Sequence, residues 1–193
     1  QLAAPYTDSD CPNVKLLPLW HGTKPEVIHS ILSTGYDSLG TTDEGYFGRG
    51  LYGTCEAEYA YRVYIQGVHK KSDAPLIINW VSAYSAYPVI DGDTVSLEGK
   101  GHHKNYNAHF APVAPKNPNN PHELVYFACK PNQPSVYTEV VVFESSQCLP
   151  RYLVELQTSL PKAPSINSLL NPPPALLSTL FKPEGIGFKQ GGN

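Results

Sequence analysis

Leu17-Pro18-Leu19-Trp20-His21-Gly22-Thr23 is the stretch from which the rest of this 193-residue chain is read. Residues 14–20 have the apolar content of a strand, and His21 stands where that strand runs out. Pro18 has no N–H to give a ladder, which confines it to a sheet edge or a bulge. A helix follows at once. Thr23 and Glu26 have capping-box spacing, and Pro25 falls in the first turn, where a missing N–H costs nothing. Val27, Ile28, Ile31 and Leu32 supply one apolar face, and Gly35 ends the helix.

Two distant stretches complete the pattern. Phe47-Gly48-Arg49-Gly50-Leu51-Tyr52 sets a tyrosine just after a glycine-hinged turn, and Glu139 stands inside the apolar run of residues 136–143. Residues 48–53 match Gly-x-Gly-x-x-Gly letter for letter, but a dinucleotide fingerprint needs a buried strand before it and a helix after it. Thr41-Thr42-Asp43-Glu44-Gly45-Tyr46-Phe47 is no such strand, and Asp73 precedes a strand instead of ending one. A kinase is excluded, because neither Val-Ala-Ile-Lys nor Asp-Phe-Gly occurs. A carboxylate among valines costs free energy unless it has a partner or a task. Glu139 therefore has two readings: the solvent face of an edge strand, or a catalytic group. His21 likewise is a locally satisfied strand-end imidazole or one that both donates and accepts at a ligand.

Composition narrows the class. The net charge of −3 gives no electrostatic footprint for nucleic acid or anionic lipid, and no apolar run approaches the ~20 residues that span a bilayer. Cys11, Cys55, Cys129 and Cys148 never form Cys-x-x-Cys, which favours free thiols in a reducing compartment over two scattered disulfides. With no Asn-x-Ser/Thr sequon, this points to a nuclear or cytoplasmic address. Opening on Gln1 without any methionine, the chain reads as a processed protein or an excised fragment.

Residues 1–13 read as a linker remnant, 37–50 as a surface loop, and 157–193 as a proline-rich tail. Between them, 55–66 reads as a helix carrying Tyr59, Tyr61 and Tyr64. Residues 76–83, 87–90, 124–129, 136–143 and 151–156 read as strands, and 96–121 as one long irregular segment. His102, His103 and His109 lie in that segment without metal-ligand spacing and read as a solvated loop.

Residues 19–23, 47–52, 137–143 and 147–153 resemble, in order, the His-Gly-Thr strand end, the Gly-x-Gly-x-Tyr element, the glutamate strand and the closing strand of the poly(ADP-ribose) polymerase catalytic domain. The resemblance runs over residues 14–156. It implies an α+β fold of two packed, mostly antiparallel sheets with flanking helices and an NAD cleft between them. It also implies a glycosyl transfer: ADP-ribose passes from NAD, the substrate, to a protein (the chain itself included) or another macromolecule, with no metal and no membrane. Nucleic acid stays open as an acceptor, though no basic patch favours it. His21 would bind the adenosine-side ribose, Gly22 and Thr23 would line the nicotinamide site, and Glu139 would stabilise the oxocarbenium charge from the ribose 2′-hydroxyl. Tyr52 and a second tyrosine, Tyr64 before Tyr61, would sandwich the nicotinamide ring. Any of Tyr59, Tyr61 and Tyr64 could instead simply pack. The chain departs from the family pattern at Ala60, where a serine is usual, and at Gly53-Thr54. Losing the serine's hydrogen bond costs about 0.5–1.5 kcal/mol and weakens NAD binding several-fold. The segment of residues 96–121 lacks signs of holding a growing polymer, which favours addition of single units. Two rivals stand: a module that binds NAD without turnover, and a secreted toxin of the same fold.

Overall fold

The computed structural model describes residues 14–36 and 45–156. The linker of residues 1–13, most of the loop before Tyr46 and the tail of residues 157–193 lie outside them. The chain separates into two units after Leu156, and the architecture below is that of the first.

Eight strands lie among the described residues: β1 (Lys15–Gly22), β2 (Leu51–Gly53), β3 (Leu76–Ala83), β4 (Ala86–Pro88), β5 (Ala108–Pro115), β6 (Tyr126–Ala128), β7 (Tyr137–Val142) and β8 (Cys148–Val154). The helices among the described residues are α1 (Pro25–Thr34), α2 (Ala57–Tyr59), which runs on into a π-helical segment at Ala60–Val68, the short α3 (Thr94–Leu97) and a 3-10 turn at Ser145–Gln147. One sheet has the order β1-β3-β8; the other runs β2-β7-β5-β4, with β6 also on β5. All pairings are antiparallel except β4 with β5. This is the α+β architecture expected.

The period-two pattern of each inner strand sorts its side chains between two cores. Val140 and Val142 of β7 meet Leu19, Val81, Ala108 and Cys148, joining the two sheets. The opposite face of β7, with Val141, meets Phe47, Tyr59, Ala111 and Val113. Pro18 does lie on an edge strand, opposite Trp80.

Several expectations are corrected. The capping box at Thr23 does not form: Lys24 is the N-cap, and among the described residues no side chain caps the helix. Of the apolar face of α1 only Ile28 is buried, while Val27 and Leu32 are exposed. The segment of residues 96–121 is not a continuous loop, because β5 is an inner strand of the larger sheet. Two prolines hid it. Pro112 carries its carbonyl towards Cys129, which donates to it at 2.8 Å, on the side away from β7. A strand residue's N–H points the same way as its carbonyl, so the missing donor costs the β5–β7 ladder nothing.

Candidate active site

His21 is brought to the site by β1 and Tyr52 by β2. The two strands touch through reciprocal bonds between Trp20 and Thr54, at 2.8 and 3.0 Å. Immediately beside that bridge, His21 Nδ1 lies 2.8 Å from the Tyr52 carbonyl oxygen. A carbonyl only accepts, so Nδ1 carries the proton and Nε2 keeps its lone pair. Burial lowers the His21 pKa to about 4, against its ordinary 6.5, so the ring is neutral at physiological pH. Tyr36 meets the imidazole edge to face at 5.4 Å between ring centres.

Tyr52 also holds the turn before it. Its hydroxyl accepts from the Phe47 N–H at 2.7 Å and donates to the Gly48 carbonyl at 2.9 Å. His109, read from sequence as part of a solvated loop, is in fact fully buried on β5. Its Nδ1 donates to the Phe47 carbonyl at 2.6 Å, and its Nε2 accepts from the His103 N–H at 2.8 Å. Both ring nitrogens are thus satisfied in the neutral form, and burial lowers the pKa. Gly50 completes the turn. A Cβ there would stand 2.4 Å from the Val142 carbonyl oxygen, so only glycine lets the turn close onto β7.

Glu139 is not on a solvent-facing edge. β7 lies between β2 and β5, and the side chain is 6% exposed. Tyr59 donates a hydrogen bond to Glu139 Oε1. Burial is the main influence on the carboxyl and raises its pKa from 4.5 to about 7; the hydroxyls of Tyr59 and Tyr64 oppose the rise. Tyr64 acts from outside hydrogen-bonding geometry, and its buried hydroxyl has no partner among the described residues. Its ring and that of Tyr52 both pack against the cluster of Phe47, Tyr59 and Val141.

The other residues singled out from sequence fall as follows. Gly22 presses on the π-helical segment, where a Cβ would come within 2.9 Å of Tyr64 Cβ and 3.0 Å of the Ala60 carbonyl oxygen. Thr23 is buried next to it. Ala60 is fully buried with Ile65, Ala74 and Leu76, a second cluster against which Tyr64 also packs. Tyr61 packs on this second cluster and donates to the Ser72 carbonyl at 2.8 Å. The structure thus gathers Tyr52, Tyr64 and Glu139 on one aromatic cluster, with His21 bonded to the Tyr52 main chain; Ala60 and Tyr61 belong to a second cluster, which Tyr64 joins to the first. Tyr59 is the functional candidate that sequence reading left among packing residues. A helix with tyrosines at both 59 and 64 carried the signal, but it was illegible at a 3.6-residue period.

A family model of the poly(ADP-ribose) polymerase catalytic domain matches residues 2–158. The chain belongs to that family, whose catalytic domains use NAD as their substrate. No curated protein matches the chain.

Proposed function

We propose that this domain transfers single ADP-ribose units from NAD to a nucleophile on a protein acceptor, itself included, and releases nicotinamide. The observation that carries the reading is a buried carboxyl on the aromatic cluster of Tyr52 and Tyr64, with a neutral histidine of β1 bonded to the Tyr52 main chain. His21 Nε2 is left to accept from a ribose hydroxyl. Two phenol rings offer flat faces to the nicotinamide, worth about 0.5–1.5 kcal/mol per stacked pair beyond burial. As the bond between ribose C1′ and the nicotinamide nitrogen breaks, its electron pair leaves with nicotinamide and positive charge grows on the ribose ring. Glu139, hydrogen-bonded to the 2′-hydroxyl, stabilises that charge in a dry setting where electrostatics are strong. The acceptor nucleophile then attacks C1′ and loses its proton. A nuclear or cytoplasmic setting fits the free thiols at Cys55, Cys129 and Cys148.

The test is incubation with NAD labelled in the adenylate part, together with chromatography of released nicotinamide. Label should enter protein, and Glu139→Gln should cut release by about a hundredfold or more while changing NAD affinity only several-fold. One feature favours a second reading, a module that binds NAD without turnover: burial raises the Glu139 pKa to about 7, which works against the ionised carboxylate that turnover needs. Tight NAD binding with no nicotinamide released between pH 6 and 9 would establish that reading and defeat the first.

A further inference from the structure

Tyr59 takes no part in the chemistry just described, yet it is the residue bound to the carboxylate that does. Its ring is 1% exposed and is enclosed by Tyr64, Tyr126 and Tyr137, at 5.8, 4.9 and 5.0 Å between ring centres. The enclosure fixes where its hydroxyl points, and Glu139 Oε1 is the acceptor it meets. The helix register is part of the device. In an α-helix a residue five positions on lies about 140° round the axis, on another face. Directly after Tyr59 the chain changes to π-helical turns, in which residues five apart stand about one turn apart. The change keeps Tyr64 beside Tyr59, so that both phenols act on one carboxyl.

We infer that Tyr59 is a positioning residue: it holds Glu139 by Oε1 and so presents Oε2 to the ribose 2′-hydroxyl of the bound donor. The inference rests on the transfer reading above for its catalytic consequence, and on geometry alone for the contact. A hydroxyl that donates to a carboxylate favours the ionised form. Other ionisable groups on elements around Glu139 are Tyr64 of the π-helical segment, Tyr52 of β2, His109 of β5, Tyr126 of β6, Tyr137 of β7, and Glu56 and Glu58 at the head of α2. Of these, Tyr64 alone joins Tyr59 in acting on the carboxyl.

The experiment substitutes Tyr59→Phe in the full chain and follows two readouts. The first is the titration of Glu139 by carbon-13 NMR of side-chain-labelled glutamate, assigned by difference with Glu139→Gln. Its midpoint should rise by about one pH unit on losing one charge-assisted bond. The second is nicotinamide release across pH. At pH 7 kcat should fall about five- to tenfold, KM should change less than about twofold, and kcat should recover only in part above about pH 8, because the carboxyl then ionises but is still not held. A purely structural Tyr59 would lower thermal stability and leave the midpoint and the pH profile in place, which overturns the inference. Site-specific 3-fluorotyrosine at position 59 keeps ring and hydroxyl but is a stronger acid, so it should lower the midpoint; an unmoved midpoint again overturns the inference. A parent chain without turnover would defeat the transfer reading, and the NMR midpoints would still decide for or against Tyr59.

Discussion

His21 and Glu139 carry opposite protonation costs in the folded chain. His21 titrates near 4 in the fold against 6.5 ordinarily, so the unfolded chain takes up its proton first. Its contribution to stability is present above about pH 6.5 and is lost as pH falls towards 4. Glu139 titrates near 7 against 4.5, so the folded chain keeps its proton longer. Its contribution is present below about pH 4.5 and is lost as pH rises towards 7. Over pH 5–7 the two offset one another. Glu139→Gln removes only the second, so urea unfolding midpoints of the variant should drop more steeply than the parent's between pH 7 and 5. At pH 8 the variant should be the more stable of the two. Equal slopes would mean that Glu139 is not held as a buried acid. At this scale the sequence was informative about identity and silent about state. An acid in an apolar run and a histidine at a strand end were legible, but burial, tautomer and the Tyr59 partner depend on residues 31 and 80 positions away.

Among the elements, the π-helical segment and the end of β1 depend on each other. Gly22 lets them approach until Tyr64 and Ala60 leave no room for a methyl group. Gly22→Ala should therefore push the segment outward, at a cost of about 1–3 kcal/mol for overpacking. NAD affinity, read by calorimetry, should fall with it, because Tyr64 moves off the cluster it shares with Tyr52. Unchanged affinity would show that Tyr64 takes no part in binding. Strands written as apolar, β-branched runs were readable, β3 to the residue and β7 to within a residue at each end. β5 was not, because Pro112 and Pro115 and the neighbouring His and Asn residues look like loop chemistry. The change from α to π turns was equally hidden, since hydrophobic spacing at 3.6 residues cannot register a wider turn.

At the scale of the molecule, β5 links parts that are far apart in sequence. His109 ties the strand to the Phe47 turn, and Tyr52 ties that turn to the site. His109→Leu leaves the Phe47 carbonyl and the His103 N–H unpaired, which costs about 1–3 kcal/mol for each buried group. Hydrogen exchange at residues 47–52 should quicken in this variant; unchanged protection would place the hold on that turn elsewhere. Cys148 lies between the sheets with its thiol pushed up to about 12, and Cys129 is buried with its thiol raised too. In a Cys11→Ser chain both should react with iodoacetamide only through global opening, so their rates should track urea unfolding together. Fast labelling of Cys148 in the native state would contradict a sealed inter-sheet core. The sequence by itself determined the order of motifs and the residue types that can serve a dinucleotide, because those are set by local pattern, and it carried the fold class only through the family resemblance of those motifs. Which faces those residues share was decided by the tertiary structure: the carboxylate's burial, its tyrosine partner and the neutral imidazole arise where strands and a widened helix meet, and no local pattern encodes that meeting.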